Sequence, residues 1–210
     1  SAEAGAQAGR IDVTGERITV DATARLLADA KGSGDGGTVN AIATDAMAFA
    51  GTISARGGTA GGNGGNAEVS GYGTVAVNGS ADLTAAKGRL GSLLIDPVSI
   101  TVVRDDAVVF QPGLVSDAWV NQQLGLSSVA LVTNVQPLLF VPDDPVQWLT
   151  VAPDVRIEWA AASTLVLGGH GRVVIGERAT IRNTSPNTGF DAISLSNLQF
   201  FVPILPPLRI

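Results

Sequence analysis

The chain has 210 residues, no cysteine, and 13 basic against 19 acidic side chains, for a net charge of −6. That composition excludes disulfides and thiolate metal sites, and it gives no general attraction to nucleic acid or anionic lipid. Hydrophobic residues reach 45% while aromatics stop at 5%, with 26 glycines, which suits a core of stacked thin strands better than a helical bundle.

Only Lys31 and Lys87 are lysines, and no basic cluster appears along the chain. No charged segment followed by an apolar one opens the sequence, so any export signal is expected to have been removed or to lie upstream. The longest apolar segment, Leu198 to Leu208, is too short and too broken by proline to span a bilayer.

The first ninety residues repeat. Gly9-Arg10-Ile11-Asp12-Val13, Gly37-Thr38-Val39-Asn40-Ala41 and Gly65-Asn66-Ala67-Glu68-Val69 recur every 28 residues (37 − 9, 65 − 37). A second short strand follows each, at Ile18 to Val20, Met47 to Phe49 and Val75 to Val77. A third is expected at Leu26 to Ala28, Ile53 to Ala55 and Leu83 to Ala85, with Gly- and Asn-rich corners between them. Short strands at a fixed period are the mark of a solenoid, in which each unit buries its apolar edge only by stacking on a neighbour. Alternation predicts Ile11, Val13, Val39, Ala41, Ala67 and Val69 inside, with Arg10, Asp12, Thr38, Asn40, Asn66 and Glu68 toward solvent.

Leu93 to Ile95 and the alternating Val98, Ile100 and Val102 read as two strands meeting at an Asp96-Pro97 corner. From Arg104 the repeat is interrupted. Val115 to Leu124 carries helical spacing, with Ser116 as N-cap, Asp117 in the first turn and Gly125 as the stop. A strand is expected at Ser128 to Thr133, and the proline-rich Pro137 to Pro145 should loop out of the coil. Strands resume at Val155 to Trp159, Thr164 to Leu167, Arg172 to Ile175 and Ala179 to Arg182, with a last pair at Ala192 to Leu195 and Leu198 to Val202. Both chain ends read as cut coils.

The run Gly-Gly-Asn-Gly-Gly-Asn-Ala-Glu-Val-Ser-Gly (61–71), then Gly79 to Gly88 (GSADLTAAKG) and the Gly-Ser-Leu-Leu-Ile-Asp-Pro block, resembles the filamentous-haemagglutinin-type large exoproteins of two-partner secretion. The later succession SDAWVNQQLGL, SVALVT, Ile157-Glu158-Trp159 and Thr-Leu-Val-Leu resembles them in order. The resemblance covers residues 8 to 196 and is most specific over 61 to 102. It implies an all-β chain folded as a right-handed parallel β-helix. It also implies export through an outer-membrane partner and use at the bacterial surface as an adhesin, a fibre or a carrier. The amino-terminal secretion domain of such proteins, with its Asn-Pro-Asn-type motifs, is absent from this sequence. The proline-rich excursion and the tail from Phe200 to Ile210 have no counterpart in the resemblance.

The expected organisation is therefore glycine-rich coils over 1–103, an irregular insert with one short helix over 104–153, and further coils with an apolar tail over 154–210. A glycosidase needs two carboxyls about 5–9.5 Å apart across a cleft. The candidate acids, Asp105-Asp106 and Asp143-Asp144, are adjacent pairs without a companion one coil away, and they read as solvated turn acids. The lone histidine, His170, sits in a glycine corner without an oriented nucleophile or enough companions for a metal. The Gly61 to Asn66 run lacks the aspartates of a calcium-binding repeat, and no lysine and helix follow it as in a phosphate loop.

No catalytic residue, metal or cofactor is assigned. The expected function is a non-enzymatic, extracellular rod whose loops bind a host or matrix glycan or protein. Trp119, Phe140 and Trp148 of the insert are the candidate contacts, by stacking on a sugar or by packing on the helix flank. An alternative is self-assembly into a fibre by end-to-end stacking of coils, through Phe200, Phe201, Ile204 and Leu205. A carbohydrate-active β-helix enzyme is the third.

Overall fold

The computed structural model describes residues 8–105, 110–133, 148–186 and 192–197. They form a parallel β-solenoid of about six turns, with a single helix. Three strand positions recur in each turn and give the coil three faces. On face one lie β1 (Arg10–Val20), β3 (Thr38–Phe49), β5 (Asn66–Gly71), β8 (Ser92–Pro97), β11 (Ser128–Val132), β14 (Leu165–Gly169) and β17 (Ile193–Asn197), stacked in that order. Face two carries β6 (Thr74–Val77), β9 (Ile100–Val103), β10 (Leu114–Ser116), β12 (Leu149–Val151) and β15 (Val173–Ile175). Face three carries β2 (Arg25–Leu27), β4 (Thr52–Ser54), β7 (Ser80–Asp82), then α1 (Asp117–Leu124), then β13 (Arg156–Trp159) and β16 (Thr180–Asn183).

The predicted 28-residue period is the actual register. Arg10 pairs with Thr38 and Thr38 with Asn66. Inside the coil, one ladder runs Ile11, Val39, Ala67, Leu93, Val129, Leu165, Ile193. A second runs Val13, Ala41, Val69, Ile95, Leu131, Leu167, Leu195. From Val39 to Leu165 and from Ala41 to Leu167 the rungs are buried, and each large aliphatic rung contributes about 1.5–3 kcal/mol by leaving water. Along an axis of stacked coils such terms act between nearest neighbours only.

Several boundaries differ from expectation for identifiable reasons. In the first two turns, faces one and two are single bent strands, because the chain stays extended through an irregularity between Gly15 and Arg17. The third strand of the third turn is Ser80–Asp82, since Ala81 and not Leu83 takes the rung above Ile53. Leu83 is buried as well, just past the end of the strand, which is why its apolar side chain marks the strand's position imprecisely. Pro97 is the last residue of β8 and not the corner; the bend falls at Val98-Ser99. Asn40, expected in solvent, is only 8% exposed, since its amide lies beside Asp12 and donates to that carboxylate at 2.8 Å.

Turn four lengthens to 36 residues (128 − 92), from 28 in the first two turns and 26 in the third (92 − 66), by doubling back. After β9 the chain returns beneath it, so that β10 pairs with β9 from below and Gly113 N–H reaches the Val75 carbonyl of β6 at 2.8 Å. Turn five contains residues 134–147. The expected Pro137 to Pro145 excursion and the expected strand at Leu198 to Val202 lie outside the described residues.

At the corner entering face one, glycines stack on glycines. Asn66 N–H donates to the Gly37 carbonyl and Ser92 N–H to the Gly65 carbonyl, so the chain crosses at the same place in each turn. A Cβ at Gly65 would fall against the Gly37 carbonyl oxygen, backbone that cannot step aside. Gly65→Ala is therefore expected to cost at least about 2 kcal/mol in urea unfolding. An unchanged unfolding midpoint would show that this corner is not a close backbone contact.

Candidate functional site

The insert expected to bind ligand is first of all a splice. Ser116 caps the helix, its hydroxyl accepting from Trp119 N–H at 2.9 Å, and Gly125 ends it, both as predicted. A helix placed in a sheet position has no lateral backbone groups to offer, yet the strands above and below keep open edges. Residues four apart share a helix face, and residues two apart lie nearly opposite.

The sequence uses all four sides. Downward, Trp119 Nε1 donates to Gly79 O at 2.7 Å, Gln123 Oε1 accepts from Ala81 N–H at 3.0 Å, and Gln123 Nε2 donates to Ala81 O at 2.5 Å. Upward, Asp117 Oδ2 accepts from Arg156 N–H at 2.9 Å, while Asn121 accepts from Glu158 N–H at 2.8 Å and donates to Arg156 O at 3.0 Å. Val120 and Leu124 fill the core, and Ala118 and Gln122 face solvent.

These contacts decide where the aromatic candidates sit. Trp119 is half-buried and its indole N–H is bonded, so it packs against the third turn. Trp148 stands at the entry to face two, and the Arg172 guanidinium lies 4.6 Å above its ring centroid, one turn on. The two are on different faces and do not form one platform. Phe140, Phe200, Phe201, Ile204 and Leu205 lie outside the described residues, as do Asp106, Asp143 and Asp144. At the last described turn, Ile175 (43%), Ile193 (40%) and Leu195 (60%) are exposed.

Asp105 and His170 occupy defined places. Asp105 is exposed at the rim of a cleft of about 360 Å³, shared with Arg104 and Asn121. Its neighbours are engaged in the fold: Arg104 donates to Asp154 O at 3.0 Å, and Asp117 and Asn121 hold β13. His170 is buried at the face one corner, its N–H donating to Thr133 Oγ1 at 3.1 Å, and burial holds its pKa below the ordinary value. Among the described residues, no group of three or more His, Asp or Glu is arranged to hold a metal ion. No described helix is long and apolar enough to cross a membrane.

A feature the linear sequence did not reveal lies on the outside of face three, across the first three turns. Asp29 is held by Ser54 Oγ at 2.6 Å, by Arg56 N–H at 2.8 Å and by the Arg56 guanidinium at 2.8 Å. Partial burial opposes its charge, but these donors outweigh that and lower its pKa to about 2. Asp82 accepts from Thr84 N–H and Oγ1 and lies 4.0 Å from Arg56, which completes an acid–base–acid ladder over three turns.

Beside the ladder runs a groove of about 340 Å³. Small residues line it, namely Ala30, Gly57, Ala85 and Ala86, together with the hydroxyls of Thr59 and Thr84. Lys31 follows Ala30 in the sequence, and Lys87 follows Ala86 with Arg89 two residues on; none of the three lines the groove itself. All three are exposed, and none makes an ion pair among the described residues. The first two turns keep a period of 28, while the third is two residues shorter, 66 to 92 at face one, and the shortening falls in the corner that holds Lys87.

Comparison with protein-family models, curated proteins and solved structures found no match. The parallel β-solenoid is thus established by its ladders alone.

Two consequences are measurable. Gln123→Leu leaves the buried Ala81 N–H and C=O without their partner and should cost about 2–4 kcal/mol. Its Ala81 amide should also exchange much faster with solvent than in the parent, and retained protection would refute the surrogate-strand role. For Asp29, a folded-state pKa below 3.8 means that the unfolded chain takes up the proton first. The stability it confers is complete above about pH 4 and drains away toward pH 2, roughly 1 kcal/mol once screening at the exposed Arg56 is allowed for. Asp29→Asn should be less stable at neutral pH and lose less on acidification; parallel stability–pH curves for the two proteins would contradict this.

Proposed function

We propose that the chain is a segment of a bacterial surface exoprotein of the filamentous-haemagglutinin type, acting without catalysis as a stiff carrier that presents its flanks to a host or matrix partner. The observation that carries this reading is how the polar side chains are employed. Asp12 with Asn40, Asp29 with Arg56, Asp154 with Arg178, and Asp117, Trp119, Asn121 and Gln123 of α1 all tie one turn to the next. Polar groups used that way stiffen a rod and are not free to work on a substrate. The motif series from 61 to 102 supports the family, and with it secretion through an outer-membrane partner.

Seven stacked levels at about 4.8 Å give the described part a length of roughly 30 Å, short enough to be one stretch of a longer shaft. Beads coated with these 210 residues are expected to be retained on matrix- or cell-coated surfaces more than beads carrying the unfolding-prone Gly65→Ala variant. Equal retention of the two would sink the adhesive reading.

A further inference from the structure

We propose that Asn78 is a site of self-modification, where the Gly79 nitrogen closes on the Asn78 side chain and converts it to aspartate and isoaspartate. The chain contains three dipeptides of Asp or Asn followed by Gly, at 35–36, 63–64 and 78–79. Glycine has no Cβ to hinder its nitrogen, so in such pairs the main chain most readily attacks the side chain before it.

The fold treats the three pairs differently. At the corner entering face one, Asp35 and Asn63 belong to a ladder. Asp35 Oδ1 accepts from Asn63 N–H at 2.6 Å, and Asn63 Oδ1 accepts from Arg89 N–H at 3.0 Å. The glycine that follows each is tied to the same neighbour. Gly36 N–H donates to Asn63 O at 2.8 Å, and Gly64 N–H to Arg89 O at 2.9 Å. Attack within either pair must break both bonds. Asn78 stands instead at the corner from face two to face three, and its side-chain amide makes no hydrogen bond among the described residues. Its own N–H and that of Gly79 share one acceptor, Phe49 O, each at 3.1 Å. A recess of about 160 Å³ beside it, walled by Thr52, Trp119 and Gln122, gives the side chain room to turn back and admits water. Asn63 is exposed as well, so bonding and not exposure separates the two asparagines.

In the reaction Gly79 N bonds to Asn78 Cγ, and the proton of Gly79 N–H departs with the side-chain amide as ammonia. Water then opens the cyclic imide. Breaking its N–Cγ bond restores the main chain with an aspartate. Breaking the bond between N and the main-chain carbonyl carbon leaves the chain running through Cγ, one carbon longer. That second product displaces Gly79 O, which accepts from Trp119 Nε1 at 2.7 Å, and so loosens the seam between the third turn and α1.

The test is peptide mapping by mass spectrometry of the full chain aged in mildly alkaline water enriched in oxygen-18, folded and in urea. Fragmentation that separates aspartate from isoaspartate identifies the products. Rates in urea, where neither corner exists, give the intrinsic reactivity of each pair. Relative to those, Asn78 in the folded protein should convert at least about tenfold faster than Asn63, because two hydrogen bonds hold the Asn63 pair against attack. The Trp119 indole N–H should exchange with solvent faster in the isoaspartyl form than in an Asn78→Asp variant, whose main chain is normal. Equal relative rates at the two sites, faster conversion at Asn63, an intact Asn78, or an indole equally protected in both forms would overturn the proposal.

Discussion

Everything in this fold depends on backbone edges being closed from one turn to the next. A strand offers N–H and C=O groups both upward and downward, and burying either row without partners costs more than any single side chain returns. In most turns the next strand closes the edge. In turn four a helix stands where the strand should be, and the fold survives because α1 carries a substitute for each missing bond. Asp117 and Asn121 face one neighbour, and Trp119 and Gln123 the other. The alternation of an α-helix at i and i+2 thus does the work of the alternation of a strand. The insert is a structural coil of its own kind.

That same constraint explains what the sequence disclosed and what it withheld. The face one ladder was legible because, over its first three strands, glycine corners and alternating apolar residues recur every 28 residues. The helix was legible from Ser116 and Gly125. Its purpose was not, since Gln123 and Asn121 look like ordinary polar residues on a helix until the open edges of β7 and β13 are seen beside them. The return of β10 beneath β9 left no periodic trace either, because the strand order reverses within one turn. Trp119 illustrates the limit for binding residues: its indole N–H meets Gly79 O, a partner forty residues away that no spacing rule identifies.

Ion pairs in this chain follow the axis too. Arg10 with Asp12 lies within one strand, but Arg56 with Asp29 and Asp82, Arg178 with Asp154, and Arg182 with Glu158 each link successive turns. Individually, exposed pairs contribute little. In a solenoid, however, each turn is held only by its two neighbours, so small axial terms are repeated at every interface and reinforce the register that the apolar ladders set. Asp154 and Asp12 are held below the ordinary carboxylate range by their arginines: for Asp154 the Arg178 hydrogen bond comes first, and for Asp12 that of Arg10.

Charge placement is the last consequence of the repeat. A chain with net charge −6 repels polyanions at a distance. Around the corner that follows face three, exposed Lys31, Lys87 and Arg89 are interspersed with Asp29, Asp35 and Asp82, which keep their negative charge while they accept hydrogen bonds. Among the described residues, only Asp29 and Asp82 of these acids have a cation within reach, the shared Arg56. Charge along that edge is therefore mixed on the scale of one turn, which the stacking of turns sets and the linear sum of charges does not report.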